Sequence, residues 1–343
     1  MKIGVLEHWD DMLTRLPAGR SDVYFSEGYI RLYENDAEKA ACFVYEQNKD
    51  LFLFPFLSRS FVFCGQVYYD FETAYGYGGP VCSTSDPGFL CDAWCALKRF
   101  FSSSGYVAGF VRFHPLLDNQ CGFEVAGRLI ADRKTVAMDL NRPMDDVWQH
   151  EIHSKNRNMI RKAEKSNLRF AAEDGYEHLP DFVRLYDGTM DKLSADGFYY
   201  FNWNYYLRLK QNIPNSFLGC VFKDKTLVSA AIFMYEGPYG HYHLSGSDPT
   251  YLNLSPNNFL LWRAAAELQR RGVRQFHLGG GSNPDEDNSL FLFKRRFSQS
   301  TRQFYIGKLI FDEAVYSAVC SSWEKENPDK AERYAHHLLK YKY

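Results

Sequence analysis

The stretch FLGCVFKDKTLVSAAIFMY, residues 217–235, decides the fold, because its pattern occurs twice in this chain of 343 residues. Two β-rich runs flank the polar turn at residues 223–225, which predicts an antiparallel hairpin. ACFVYEQNKDLFLFPF, residues 41–56, has the same arrangement around a polar turn at residues 47–50. A pattern repeated at this length predicts a duplicated structural unit.

Each hairpin is followed by a helix with a capping residue and a proline in its first position, and then by a strand. In the first window the helix is DPGFLCDAWCALKRFF (residues 86–101) and the strand is GYVAGFVRF (105–113). In the second window an additional strand, HYHLSGS (241–247), comes first. The helix is then SPNNFLLWRAAAELQRRG (255–272) and the following strand is VRQFHLGGG (273–281). Asp86 and Ser255 are the predicted N-caps. We therefore predict an α/β (α+β) protein of two tandem domains, each a mixed sheet flanked by helices, with a cleft between them.

The domain boundaries follow from these windows. We expect a first domain over residues 1–140, with the helical tail 310–343 packing back on it. A second domain over residues 141–309 would carry the active site. Because no low-complexity linker separates the halves, we expect a close interface.

The composition indicates a folded protein with substantial apolar cores, and its overall charge does not point to nucleic acid, although a local basic patch stays open. The chain is 45% hydrophobic and 17% aromatic, with a formal net charge of −2. The eight cysteines form no CxxC pair, which favours free thiols in a reducing compartment over disulfides or zinc. No apolar run is long enough to span a bilayer, and the start lacks the features of a signal peptide. We expect a cytoplasmic monomer or homodimer without an integral membrane segment.

The order of elements in each half resembles the GNAT acyltransferase fold. The tandem pair resembles the Fem (FemABX-like) peptidoglycan bridge aminoacyltransferases and the related BioF2-like acetyltransferases. The strings that carry the resemblance are YGYGGP (residues 75–80), KNRNMIRKAEKSNL (155–168), YHLSGS (242–247), SPNNFLLW (255–262), and HLGGG (277–281) leading to LFLFKRRF (290–297).

The resemblance implies a role for the segment that follows the three glycines. Gly279, Gly280 and Gly281 match neither a P-loop nor a dinucleotide-binding fingerprint, so they indicate a tight turn or a close approach to the backbone. In the Fem family the lysine of the corresponding Phe-Lys pair is implicated in stabilising charge. Phe293 and Lys294 would occupy those positions, with the Lys294 ammonium holding the oxyanion of acyl transfer. Without the resemblance, a solvated basic face is the better interpretation.

The strand GHYHLSGS (residues 240–247) contributes further candidates. Strand alternation places His241, His243 and Ser245 on one face and Tyr242 on the other. His243 is the candidate general base, although a hydrogen-bonded structural histidine is the commoner role for such a residue. A metal is the least favoured interpretation, so we predict no metal site. Tyr242 and Ser245 are predicted to bind substrate.

Three further groups are predicted to contact substrates. They are the loop residues Tyr75, Tyr77 and Gly78 on the acceptor side, Asn257 and Asn258 at a helix N-terminus, and the cations Lys155, Arg157 and Arg161 for phosphate or tRNA. For the loop, a simple turn with packing tyrosines is as good an interpretation. For the three cations, the alternative interpretation is a solvated helix face without a binding role.

The identity of the acyl donor distinguishes the possible functions. Coenzyme A enzymes of the GNAT type carry a glycine-rich loop before the cofactor helix, and DPTYLNLSPNN (residues 248–258) has no glycine. We therefore predict Fem-type transfer from aminoacyl-tRNA, as co-substrate, to an amine on a nucleotide-sugar or lipid-linked cell-wall precursor, with no bound cofactor. The alternatives are an acetyl-CoA-dependent N-acyltransferase acting on a sugar amine or amino acid, and a non-catalytic binding protein of the same fold.

Overall fold

The computed structural model describes all residues from Met1 to Tyr343. The chain forms two compact units: Met1–Asp132 together with Gln303–Tyr343, and Arg133–Arg302. No helix is both long enough and apolar enough to cross a lipid bilayer. All eight cysteines are free thiols.

Thirteen strands are present in chain order. They are β1 (Lys2–Leu6), β2 (Glu38–Gln47), β3 (Asp50–Phe63), β4 (Gln66–Glu72), β5 (Val81–Cys82), β6 (Tyr106–Arg112), β7 (Arg128–Asp139), β8 (Leu168–Glu173), β9 (Ser216–Lys223), β10 (Thr226–Glu236), β11 (Tyr239–Ser247), β12 (Gln275–Gly280) and β13 (Thr301–Ile310).

Eleven α-helical segments accompany them, several of only one turn. They are α1 (Asp10–Leu13), α2 (Glu27–Ile30), α3 (Pro87–Ser103), α4 (Met144–Asp146), α5 (Ser154–Lys165), α6 (Leu179–Lys192), α7 (Trp203–Asn212), α8 (Pro256–Arg270), α9 (Ser289–Arg295), α10 (Glu313–Glu326) and α11 (Pro328–Ala331). A π-helical turn over Val147–Glu151 follows α4.

The predicted duplication is confirmed by the strand pairing. In the first unit β2 pairs antiparallel with β3, β3 antiparallel with β4, and β4 parallel with β6. In the second unit β9, β10, β11 and β12 repeat this pattern, with the parallel pair again last. In each unit a long helix, α3 or α8, connects the two parallel strands, as a parallel crossover requires.

Each sheet is extended by strands from distant parts of the chain. In the first unit β1 pairs with β2, and residues 306–310 of β13 pair with β6. In the second unit β8 pairs with β9, and residues 135–139 of β7 pair with β12. Both units therefore complete their sheets with a strand that the hairpin windows do not contain.

Burial of apolar side chains holds each unit together. In the first unit the aromatic rings of Phe52, Phe56, Trp94 and Phe101 are fully buried between α3 and the sheet. In the second unit α5 and α8 cover one face of the sheet, and the core there includes the fully buried Phe233. Burial of this kind contributes roughly 25 cal/mol per Å² of apolar surface.

The two predicted helix caps have different outcomes. The Asp86 carboxylate accepts a hydrogen bond from the Phe89 N–H at 2.8 Å, so it caps α3 as predicted. Ser255 precedes α8 but makes no side-chain cap bond and has a left-handed backbone, with φ of 61°. Its hydroxyl instead contacts the Met159 sulfur at 3.2 Å. The prediction of a Ser255 cap was wrong because this hydroxyl is turned toward α5.

Candidate functional site

The two parallel strands of the second unit separate at their carboxyl ends. β11 and β12 pair only from Tyr239 with Gln275 to His241 with His277. Beyond this point β11 continues along β10 to Ser247, and β12 continues along β7. Beyond His241 and His277 the backbone groups of β11 and β12 are therefore not paired with each other, and the sequence YHLSGS forms one side of this opening between the strands.

Lys294 lies at this opening. It belongs to α9, whose first turn is capped by the Asn288 carboxamide oxygen, which accepts from the N–H groups of Leu290 and Phe291. The Lys294 side chain is only 7% exposed. Its ammonium donates to the Gly280 carbonyl at 2.7 Å, and its nitrogen lies 5.9 Å from the centre of the Tyr242 ring. The helix thus holds one buried amine against the last residue of β12.

Burial lowers the pKa of Lys294 to about 7. Desolvation disfavours the charged form of a buried amine, and here no carboxylate offsets it. The sequence led us to expect an ammonium at this position, whereas burial brings the pKa of this amine close to neutral pH. An amine with such a pKa can donate to a developing negative charge when protonated and can accept a proton when neutral.

The three glycines are explained by close contacts in this turn. Gly279 has a φ of 78°. A Cβ atom at Gly281 would lie 2.7 Å from the Asn288 carboxamide oxygen that caps α9. A side chain there would displace the cap, so the glycines let β12 turn tightly into the segment before α9. Gly279 thus has the first of the two roles that the sequence suggested, and Gly281 has the second.

Phe293 packs against the core of the second unit, 5.4 Å from the ring of Phe297. The neighbouring Leu292 is exposed, so Phe293 is the apolar residue next to Lys294 that anchors this helix in the core.

The predicted alternation along β11 was wrong. Phe233 pairs with Tyr242 but Ile232 pairs with Leu244, so a β-bulge inserts His243 as an extra residue. A bulge reverses the side-chain alternation beyond it. Tyr242 and Ser245 therefore share a face, and Ser245 hydrogen bonds the Tyr242 hydroxyl.

Burial raises the pKa of Tyr242 to about 12, so its phenol stays protonated. The Tyr242 ring and Ser245 line the face of β11 that carries the core between the sheet and α8.

His243 is directed toward α7. Its Nε2 lies 2.7 Å from the Tyr205 hydroxyl. Burial, followed by the nearby His241, lowers the pKa of His243 to about 3. The imidazole is therefore neutral at physiological pH and a weak base. These contacts favour the hydrogen-bonded structural role that we weighed against catalysis, and the catalytic role of His243 stays a prediction.

The N-terminus of α8 is occupied by internal contacts. The Asn257 carboxamide oxygen accepts from the hydroxyls of Ser229 and Ser247 at 2.7 and 2.5 Å. The Asn258 amide donates to Asn156 of α5 at 3.1 Å. Both side chains that the sequence assigned to substrate are thus bonded within the second unit, and α5 lies against this end of α8.

The basic helix α5 presents its three candidate cations differently. Arg157 donates to the Trp148 and Gln149 carbonyls at 3.1 and 2.9 Å, which holds it to the preceding π-helical turn. Arg161 lies 5.4 Å from the Trp148 ring and is exposed. Lys155 is exposed as well. Lys155 and Arg161 are therefore available to an anion, whereas Arg157 is largely structural.

The loop YGYGGP belongs to the first unit and is well packed. The Tyr75 carbonyl accepts from the Tyr29 hydroxyl at 2.7 Å. The Tyr77 ring contacts Phe304 at a centroid distance of 5.5 Å, and the Gly78 carbonyl accepts from the Asn119 amide at 2.8 Å. These contacts fix the loop, and its role in binding an acceptor stays a prediction.

Sequence reasoning missed several polar residues of the second unit. Asn156 is 1% exposed, and its amide nitrogen has no partner. It lies four residues before Ile160 on the apolar stripe of α5, so a polar residue on that stripe was the signal that could have identified it. Tyr205 and Ser229 carry no such signal, because their partners are distant in sequence.

Comparisons with known proteins agree with this architecture. Residues 153–287, within the second unit, match the family described as Acetyltransferase (GNAT) domain. The fold is therefore that of the GNAT class, and the match supports an acyltransferase. None of the curated proteins matches the chain significantly.

Among solved structures the fold is similar to that of FemX, with a TM-score of 0.73 and 12% identity over 93% of this chain and 99% of FemX. It is also similar to the C-terminal domain of a putative lysylphosphatidylglycerol synthetase from Agrobacterium fabrum, with a TM-score of 0.53, 14% identity, and coverage of 86% and 89%. For L-PGS from Bacillus licheniformis the values are 0.51, 13%, 79% and 83%. The predicted Fem-like tandem GNAT fold is confirmed.

Proposed function

We propose that this protein is a Fem-type aminoacyltransferase, which moves an aminoacyl group from aminoacyl-tRNA to an amine on a nucleotide-sugar or lipid-linked cell-wall precursor. The observation that carries the proposal is Lys294, a buried amine held at the opening between β11 and β12. A GNAT fold alone does not define a substrate, so the proposal rests on this site and on the end of α8.

The chemistry requires a donor for a developing oxyanion. The acceptor amine attacks the carbonyl carbon of the aminoacyl ester, and the carbonyl oxygen becomes negatively charged in the tetrahedral intermediate. Collapse of that intermediate expels the ribose oxygen of the tRNA, which takes a proton, and the amide remains on the acceptor. A donor already in place stabilises such an oxyanion by a few kcal/mol when water is excluded.

Lys294 suits this role because its position is fixed and some of its hydrogen-bond donors remain available. A protonated lysine has three N–H donors, and the Gly280 carbonyl takes one of them. The remaining donors are available to the oxyanion. The adjacent Tyr242 ring forms an apolar wall that keeps the local dielectric low.

The end of α8 supports a tRNA ester over a coenzyme A thioester. In coenzyme A enzymes of this fold the pyrophosphate binds the N–H groups at the corresponding helix N-terminus. Here Asn258 bonds Asn156, Ser255 contacts Met159, and the preceding loop has no glycine. Side chains of α5 therefore lie against the end of α8 where a pyrophosphate would bind. The exposed Lys155 and Arg161 offer contacts to a tRNA backbone instead.

Acetyl-CoA-dependent N-acylation is the second candidate. The match of residues 153–287 to a family described as an acetyltransferase favours it. The same amine at Lys294 would serve either donor, so the lysine does not discriminate between the two reactions.

The test is single-turnover transfer with each donor. The protein is mixed with tRNA charged with radiolabelled amino acids, or with labelled acetyl-CoA, and with extracted nucleotide-sugar and lipid-linked wall precursors. We expect label from the tRNA to enter an acid-stable amide. Lys294→Met should lower the rate by roughly two to three orders of magnitude, while Arg296→Met on the same helix end should change it little.

Three results would count against the proposal. Transfer from acetyl-CoA but not from tRNA would establish the second candidate. Equal, small losses in the two variants would show that the Lys294 amine has no particular role in transfer and that catalysis occurs elsewhere. Transfer from neither donor, with a folded protein, would favour the non-catalytic binding protein.

A further inference from the structure

We propose that Glu173, His178 and Cys220 form a binding site for a divalent transition-metal ion of the zinc type in the second unit. One ligand atom from each residue lies within 4.8 Å of the other two. The site lies at the start of α6 and uses none of the residues assigned to acyl transfer. The proposed metal site can therefore be tested independently of the proposed function.

The strand register brings two of the ligands together. Ala171 pairs with Cys220 and Glu173 pairs with Leu218 in the antiparallel ladder of β8 and β9. Glu173 is two residues from Ala171, so its side chain points to the same face as that of Cys220 and lies diagonal to it. His178 then enters over this face from the residue before α6.

The carboxylate and the imidazole are already oriented. Glu173 Oε2 accepts the His178 backbone N–H at 3.0 Å, and Glu173 Oε1 lies 2.6 Å from His178 Nδ1. The His178 ring packs edge-on against the Phe222 ring, with 4.9 Å between centroids. Backbone hydrogen bonding of a ligating carboxylate and a fixed imidazole plane are what metal sites require of their supporting contacts.

The ligand set matches zinc chemistry. A thiolate, an imidazole nitrogen and a carboxylate are the three ligand types that Zn²⁺ prefers, and three protein ligands leave a fourth position for water. The Cys220 thiol is buried, whereas the His178 side chain is 40% exposed, so an ion can enter past the imidazole. Two ligand atoms on a tetrahedral zinc ion lie about 3.4 Å apart. The imidazole would have to shift by roughly 1 Å to admit the ion.

The charge around Cys220 is negative, which attracts a cation but also holds the proton on the thiol. Burial, together with the Glu173 carboxylate, raises the pKa of Cys220 above its usual range, and Glu177 and Asp181 act in the same direction. A bound divalent ion would neutralise this negative charge and displace the thiol proton to solvent. Arg169, over the Phe222 ring at 5.1 Å, is the one opposing charge on these strands that faces the cluster.

No short sequence motif identifies the proposed metal site. The ligands occupy positions 173, 178 and 220, so Cys220 lies far from the other two in the chain and the three form no short metal-binding motif. The prediction of no metal site rested on the absence of CxxC pairs and on the histidines of β11, and it did not consider these three residues together.

Cobalt is the probe for the test, because a thiolate ligand gives Co²⁺ an intense charge-transfer absorption. Untagged full-length protein is stripped with a chelator under a phosphine reductant and titrated with Co²⁺. We expect one equivalent to bind with a thiolate charge-transfer band, and Zn²⁺ to displace it. Cys220→Ser should lose the band, and Glu173→Gln should weaken cobalt binding roughly tenfold or more.

Two control variants separate this site from adventitious binding. Cys42→Ser removes another fully buried thiol, in β2 of the first unit, and should keep the band. Replacing His336 and His337 with Gln removes the adjacent histidines near the C-terminus and should also keep it. Circular dichroism at each step reports whether a variant has folded.

Several outcomes would overturn the proposal. They are no charge-transfer band in the wild-type protein, an unchanged band in folded Cys220→Ser, or loss of the band in Cys42→Ser. If Cys220→Ser does not fold, the comparison of Glu173→Gln with wild type decides, and equal cobalt affinity in the two would refute the site.

Discussion

Replacing Lys294 with methionine is expected to stabilise the protein at low pH and to do so less as the pH rises. The wild-type amine has a pKa of about 7 in the folded protein against an ordinary value of 10.5. Each pKa unit corresponds to about 1.36 kcal/mol, so the buried charge destabilises the fold by up to about 5 kcal/mol below pH 7. Methionine fills most of the same volume without the charge.

The sign follows from proton binding. Between pH 7 and 10.5 the unfolded chain keeps a proton on Lys294 that the folded protein has lost, so the wild-type unfolding free energy rises with pH. From pH 6 to pH 9 this rise amounts to about 2.5 kcal/mol. Losing the hydrogen bond to the Gly280 carbonyl offsets about 1 kcal/mol of the variant's gain. Lys294→Met should therefore be more stable than wild type by about 3.5 kcal/mol at pH 6 and by about 1 kcal/mol at pH 9.

Urea unfolding at pH 6, 7.5 and 9, followed by circular dichroism, measures this difference. Lys162→Met is the matched control, because Lys162 is an exposed lysine on α5 of the same unit. Its difference from wild type should be small and independent of pH. A Lys294→Met variant less stable than wild type at pH 6, or a difference that does not change with pH, would refute the buried-amine interpretation.

Three further predictions concern chemistry and packing. If the Lys294 ammonium holds the oxyanion, the single-turnover rate should fall as pH rises through about 7, and a rate that rises there would assign Lys294 as a base instead. Acetyl-CoA at millimolar concentration should not raise the melting temperature, and a saturable increase at low micromolar ligand would contradict the assignment of the donor. Gly246→Ala should destabilise the second unit by roughly 3 kcal/mol or more, because its Cβ would lie 2.4 Å from the Leu185 backbone. Gly188→Ala in α6 meets nothing within 4 Å and should stabilise by roughly 0.5–1 kcal/mol in the same urea assay.

The duplicated elements were predictable because their signals are local. A polar turn between two β-rich runs forms a hairpin whatever the rest of the fold is. Asp86 and Pro87 likewise start a helix through contacts within its first turn. The strands that complete each sheet were not assigned by pattern. β7 and β13 pair with strands far away in sequence, so no local periodicity identifies their partners.

The candidate site also has features that the sequence predicts and features that it does not. The position of Lys294 after the glycine turn could be predicted, since the spacing between the end of a strand and the next short helix is local. The protonation behaviour of Lys294 could not, because it depends on burial that the whole unit creates. The bulge at His243 could not be predicted either, since it arises from the register between two strands.

By itself, the sequence determined the repeated unit and the order of its elements. Both depend on patterns that neighbouring residues encode. Only the tertiary structure decided that Tyr242 and Ser245 share a face, that α5 covers the start of α8, and that Glu173 and His178 meet Cys220. These depend on which strands and helices come into register, and that is fixed by the packing of segments distant in the chain rather than by local propensity.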